Sequence, residues 1–228
     1  MEDWSILETK NIKLAFAVLT DGRAERIERS FPTWTKNLDL HRFNIKIIFD
    51  SSGDDKYAEY LSRYDMDIVK LGKQDLANAF NRMFKYLSQL DFDYLLLFED
   101  DFSVPEYINI SDLLYVLEYA ELDQLTLVRQ PYYPFEIEAG SLMNLIKSRI
   151  PIIERTYNGY TWIEHNAFWT NNPSLITKRV FDVEYPIEFH QCEINFFSRL
   201  KQIYPEIKTA YYGAIGDTPR VIHYPLKF

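Results

Sequence analysis

The chain of 228 residues is poor in cysteine and glycine, with one Cys and seven Gly. A lone thiol, Cys192, excludes an intramolecular disulfide framework and fits a reducing compartment. No Gly/Ser-rich linker interrupts the sequence, and neither a phosphate-binding P-loop nor a dinucleotide Gly fingerprint is present. Zinc-ligand spacing and a Ser/His/Asp order are missing as well. Positive charge is short: 25 basic against 34 acidic residues leave a net charge of −9, which disfavours polyanions unless a local basic patch overrides the field. No stretch approaches the ~18 apolar residues of a membrane-spanning helix. The opening Met-Glu-Asp-Trp lacks the basic region of a leader, so the expected compartment is the cytoplasm, that of a host cell if the source is viral.

Aromatic residues are plentiful. Seventeen Tyr, 16 Phe and four Trp make up 16% of the chain, most of them expected in a core and a few at the rim of a cleft. The length suits one large α/β domain.

Ile12 to Thr20 is a nearly continuous apolar run too short for an ordinary helix, which reads as a strand buried on both faces. It stops at Asp21-Gly22. From Arg23 to Leu38, Ile27, Phe31, Trp34 and Leu38 recur at helical spacing, with a kink expected near Pro32. The pattern repeats as strand Ile45–Phe49, helix Lys56–Tyr64 and strand Asp67–Leu71. A helix with Leu76, Phe80, Met83, Phe84 and Leu87 on one face then leads to strand Tyr94–Phe98. Such alternation predicts a mostly parallel sheet flanked by helices, with ligands at the carboxyl ends of its strands. Further on, a helix at Ser111–Ala120 and strands at Leu125–Gln130, Ala167–Thr170 and Thr209–Tyr212 are expected, with a helix at Glu193–Ile203. About 1–130 reads as the ligand-binding half of a single domain and about 131–228 as its second half.

The apolar strand Tyr94–Phe98 runs directly into Glu99-Asp100-Asp101. Three consecutive carboxylates repel one another unless a cation, a hydroxyl-rich ligand or water relieves them. In extended backbone Glu99 and Asp101 share a face and Asp100 points away. Hard oxygen donors of this kind suit Mn²⁺ or Mg²⁺, which can hold a diphosphate and stabilise it as a leaving group. A plain solvated acidic loop is the competing reading.

The company the triplet keeps resembles the GT-A glycosyltransferases, nucleotide-sugar-dependent enzymes related to the large inverting family. Leu19-Thr20-Asp21-Gly22-Arg23 resembles the loop around the nucleotide base, and Asp50 stands where the family often places a base- or ribose-binding Asp. Leu71-Gly72-Lys73 with Leu76 to Arg82 is similar to the helix beside the donor diphosphate, which implies roles for Asn78 and Arg82. The triplet occupies the place of the Asp-any-Asp motif, with Glu in its first position. The resemblance implies Asp101 as metal ligand, and Glu99 and Asp100 near the ribose or metal-bound water.

His190-Gln191-Cys192-Glu193 resembles the segment carrying the catalytic base of inverting members, which implies Glu193 in that role. A helix N-terminus there would keep its carboxylate ionised. Arg220-Val221-Ile222-His223-Tyr224 resembles the C-terminal segment that supplies a further metal ligand, here His223. Trp162, Glu164 and His165 precede a stretch similar to the acceptor side. Trp162 and Trp169 suit stacking on a sugar face or packing against the sheet.

Taken together, the resemblance implies a single-domain GT-A fold and a hexosyl- or pentosyltransferase. It would move sugar from a nucleoside-diphosphate sugar, UDP-sugar favoured, to an acceptor hydroxyl with inversion, using Mn²⁺ or Mg²⁺. The acceptor is open among a glycan, a protein and a hydroxylated DNA base, the last needing a basic surface from Lys147, Arg149, Arg155, Lys178 and Arg179. Two rivals stand: a non-catalytic nucleotide-sugar or carbohydrate-binding protein of the same fold, and a sugar nucleotidyltransferase. The latter class uses a Gly-rich N-terminal loop where this chain has one glycine.

Overall fold

The computed structural model describes residues 11–130, 142, 149–188 and 191–224. Its first half follows the hydrophobic pattern closely. Strand β1 (Leu14–Thr20) is buried at every position, as expected of a strand covered on both faces. Helix α1 (Ala24–Asn37) turns Ile27 and Trp34 inward and keeps Pro32 within it. Next come β2 (Ile45–Asp50), α2 (Asp55–Leu61), β3 (Asp67–Lys70), α3 (Leu76–Leu87) and β4 (Tyr94–Glu99). The starts of α2 and α3 are capped by the carboxylates of Asp54 and Asp75, which accept from the backbone N–H groups of Lys56 and Asn78. Gly22 turns the chain at φ +101°, where an added Cβ would meet Ser52 Cβ at 2.8 Å, so the loops after β1 and β2 lie against each other.

Then follow β5 (Phe102–Ser103), α4 (Ile110–Tyr119), β6 (Gln124–Leu127), β7 (Arg129–Gln130), β8 (Ile152–Tyr157), β9 (Tyr160–His165), β10 (Ser174–Thr177), α5 (Cys192–Ile203), β11 (Thr209–Tyr212) and β12 (Val221–His223). One nine-stranded sheet runs β3-β2-β1-β4-β10-β6-β11-β9-β8, and a three-stranded sheet runs β5-β12-β7. The pairings β3·β2, β2·β1 and β1·β4 are parallel, as the alternation predicts. Beyond β4 the sheet is mixed, because β10 enters antiparallel between β4 and β6. One core packs α1 and α4 on one face of the sheet, and another packs α3 and α5 on the other.

Several expectations are corrected here. The strand expected over Leu125–Gln130 is broken at Val128, because Arg129 and Gln130 leave the large sheet to pair with β12. Ala167–Thr170 is not a strand; Trp169 and Thr170 are buried without ladder pairing, and the neighbouring strands are β9 and β10. In that stretch apolar content marked burial rather than extended pairing. No helix of the described residues is long and apolar enough to cross a membrane.

Candidate functional site

The carboxyl ends of β1 and β4 open on a cleft of about 320 Å³ lined by Thr20, Asp21, Arg23, Arg26, Glu99 and Asp100 on one side. Ser51, Gln74, Asp75 and Leu76 close the other. Thr20, Asp21, Arg23, Glu99 and Asp100, all named from the sequence, therefore share one wall. Thr20 is 1% exposed, and its Oγ1 donates to Asp100 Oδ2 at 2.6 Å, so it orients the triplet. Asp21 is held by Arg23 in a two-point ion pair. Asp50 is buried and accepts from the Ser52 N–H at 2.8 Å, bracing the loop that presents Ser51.

Two expected donor contacts lie elsewhere. Asn78 is committed to Asp75, donating to its carboxylate from both backbone and side chain. Arg82 Nη1 donates to the Leu71 carbonyl at 2.8 Å, tying α3 to the loop after β3. Neither side chain lines the cleft; a helix that starts with its first turn at the cleft points later residues away from it.

The triplet does not alternate as an extended segment would. The strand ends at Glu99 and the chain turns at Asp100-Asp101. That turn brings both carboxylates to one guanidinium: Arg26 Nη1 is 2.7 Å from Asp101 Oδ2 and 3.8 Å from Asp100 Oδ1. Asp100 and Asp101 are 3% and 6% exposed, so the solvated-loop reading does not hold. Burial pushes the Asp100 carboxyl up to about 7, reinforced by Asp101 and opposed by the Thr20 hydrogen bond and the arginines. Burial likewise holds Glu99 well above the usual carboxylate range, with Asp101, Asp100 and Glu193 adding to it.

β12 delivers His223. It lies opposite Phe102 in the small sheet, its ring stacked on the Phe102 ring at 4.5 Å. Nε2 stands 3.4 Å from Asp101 Oδ2, and Nδ1 is 2.8 Å from Arg129 Nη1. Asp101 Oδ1 is buried and without a hydrogen-bond partner. The Asp101 carboxylate, with Oδ1 unpaired and Oδ2 facing the imidazole nitrogen, makes with His223 a donor pair suited to Mn²⁺ or Mg²⁺. Among the described residues no group of three or more such ligands is present. Two protein donors leave the remaining positions to ligand oxygens and water.

Glu193 sits in the first turn of α5, with Oε1 accepting from the Asn171 N–H at 2.5 Å. The helix start does not lower its affinity for protons. Burial raises its carboxyl above the ordinary range, and the bonds from Asn171 and Thr170 and the charge of Arg129 offset only part of that. Its charge is felt by Glu99 and Tyr211, which places it in electrostatic contact with the triplet. His190 lies outside the described residues.

The proposed acceptor residues are not brought to this end together. Trp162 is 4% exposed, donates to Glu164 Oε1 at 2.9 Å and packs edge-on against Tyr119. His165 is paired in register with Thr209, at the amino end of β11, about three residues or ~10 Å below Trp162 along the strand. Trp169 is fully buried against Phe196, so it packs rather than stacks on a ligand. Much of the suggested basic surface is engaged within the protein: Arg155 pairs with Glu164, Arg179 with Asp123 and Glu206, and Lys178 donates to the Leu87 and Ser88 carbonyls, while Arg149 is exposed. Lys147 lies outside the described residues.

Sequence reasoning missed Arg26, Arg129, Gln74 and Asn171. For Arg26 a signal was present, since a basic residue three after Arg23 shares its helix face. Arg129 had none, because its neighbours come from distant segments.

No family model matches the chain, and no curated protein does. Solved structures do. The crystal structure of S. aureus TarS 1-349 aligns with a TM-score of 0.62 at 12% identity, covering 93% of this chain and 60% of that one. The same TarS segment in complex with UDP-GlcNAc aligns with a TM-score of 0.64 at 12% identity, covering 95% and 60%. The chain thus spans about 60% of the length of those structures. At this identity the likeness concerns the fold, and it agrees with the α/β GT-A architecture that the sequence resemblance implied.

Proposed function

We propose that the protein is a glycosyltransferase that takes its sugar from a nucleoside-diphosphate sugar bound in the cleft at the ends of β1 and β4. One observation carries the reading: Glu99 and Asp100 line that cleft, and Asp101, Glu193, Arg129 and His223 gather around them, the six coming from four separate segments. A structural neighbour crystallised with UDP-GlcNAc supports a UDP-sugar as donor.

In this mechanism the base and ribose lie between the loop at Thr20–Arg23 and the loop at Ser51, and the diphosphate faces the triplet. Asp101 and His223 would hold a Mn²⁺ or Mg²⁺ ion, which supplies positive charge against the leaving diphosphate. Glu193 accepts the proton of the acceptor hydroxyl as its oxygen bonds to the anomeric carbon. The bond from that carbon to the β-phosphate oxygen breaks on the opposite side, and the electron pair leaves with the nucleoside diphosphate. A single displacement of this kind inverts the anomeric configuration. The raised affinity of Glu193 for protons makes it a stronger base than a solvated carboxylate. The acceptor is a hydroxyl of a glycan, a protein or a modified base, and the engaged basic residues weigh against the last.

Incubation with UDP-GlcNAc and Mn²⁺ tests this directly. Release of UDP that depends on Glu193 supports the reading. A protein that neither binds nor turns over any nucleoside-diphosphate sugar refutes it.

A further inference from the structure

Arg26 lies in the first turn of α1 with only 11% of its side chain exposed, and it lines the donor cleft. Its Nη1 takes Asp101 Oδ2 at 2.7 Å and lies 3.8 Å from Asp100 Oδ1. His223 Nε2 approaches the same Asp101 oxygen at 3.4 Å, whereas Oδ1 has no partner. His223 Nε2 faces Asp101 at Oδ2, so an ion held between these two atoms takes the place where the guanidinium already sits. Two buried carboxylates in sequence are costly without a counter-charge, and Arg26 supplies it.

We propose that Arg26 is a displaceable counter-ion of the donor site. Without ligand it pairs with Asp101 Oδ2 and lies beside Asp100 in place of the divalent ion. On loading it gives up Asp101 Oδ2 to the metal and transfers its guanidinium to the donor diphosphate in the same cleft, the anion that suits its planar fork. Metal alone binds poorly, because it evicts a buried cation that then has no partner. Donor provides that partner, so the two ligands bind cooperatively, each strengthening the other by the same factor. Arg26 is thus a positioning residue that couples metal to donor. The inference rests on the metal-assisted reading of the donor site.

The experiment titrates Mn²⁺ by calorimetry into the parent, R26Q and R26K, with and without saturating UDP, with thermal unfolding as the check on folding. In R26Q, Mn²⁺ alone binds at least about tenfold more tightly than in the parent, as one charge-assisted bond to be displaced is gone, and UDP strengthens it by a smaller factor than in the parent. R26K keeps the charge but not the fork, so it falls between the two. Should R26Q fail to fold, R26K decides: Mn²⁺ binding at least about threefold tighter than the parent supports the proposal. Unchanged or weaker Mn²⁺ binding in a folded variant overturns it. A parent that binds no Mn²⁺ at all removes the metal from the proposed function and this coupling with it, a distinguishable result.

Discussion

His223 Nε2 lies 3.4 Å from Asp101 Oδ2, a contact between the end of the chain and the turn after its fourth strand. The small sheet makes it, through the register His223↔Phe102. The Tyr224 N–H donates to the Asp101 carbonyl at 2.8 Å and fixes the same approach from the backbone.

UDP should raise the thermal stability of the protein only with Mn²⁺ or Mg²⁺ present. At ~100 times its dissociation constant, a ligand bound only by the native state adds roughly 2.7 kcal/mol. Asp101→Asn should abolish the metal-dependent part, and His223→Ala should weaken it. Equal stabilisation in EDTA, or parental metal binding in both variants, would count against this ligand pair.

Glu193→Gln keeps size and the hydrogen bond from the Asn171 N–H but removes the proton acceptor. Turnover should fall ~10²–10⁴-fold with donor affinity little changed. Product analysis of the parent should show an inverted anomer. Near-parental turnover in the variant would deny Glu193 its role as base.

In the metal-free protein, stability should fall as pH rises from about 4 to about 7 through Asp100. Its carboxyl is pushed up to about 7 by burial, so between its unfolded and folded values the native state holds the extra proton. That sign means stability is greatest below the window and is lost across it, at up to about 1.4 kcal/mol per pH unit from this one group. Denaturant titrations at stepped pH in EDTA measure it, and Asp100→Asn should flatten the slope. An unchanged slope in that variant would remove Asp100 as its source.

Gly22→Ala should destabilise by about 1–3 kcal/mol, since a side chain at φ +101° is strained and its Cβ would run into Ser52. The loops after β1 and β2 would separate, so UDP affinity should drop as well. By contrast Asn78→Ala and Arg82→Gln, whose bonds are internal, should leave UDP affinity within about threefold while lowering stability. Calorimetric UDP titration distinguishes the two classes, and loss of UDP binding in Arg82→Gln would return that residue to the donor site.

The parallel half of the fold and the place of the acidic triplet are legible in the amino-acid pattern alone. Local signals suffice there: β1 is a short run buried throughout, α1 and α3 carry their apolar residues at helical spacing, and Asp54 and Asp75 cap the helices they precede. Glu99, Asp100 and Asp101 could be found because carboxylates end a buried strand. Tertiary structure decided what those carboxylates face. Whether Trp162 meets a ligand or Tyr119, and whether Arg82 meets a phosphate or the Leu71 carbonyl, depends on partners far along the chain. The same is true of Arg26 against Asp101 and Arg129 against His223, which the small sheet and the turn after β4 bring together. Periodicity records which side of an element is buried, but the ionic partner of a buried charge is set by long-range packing, which no local pattern encodes.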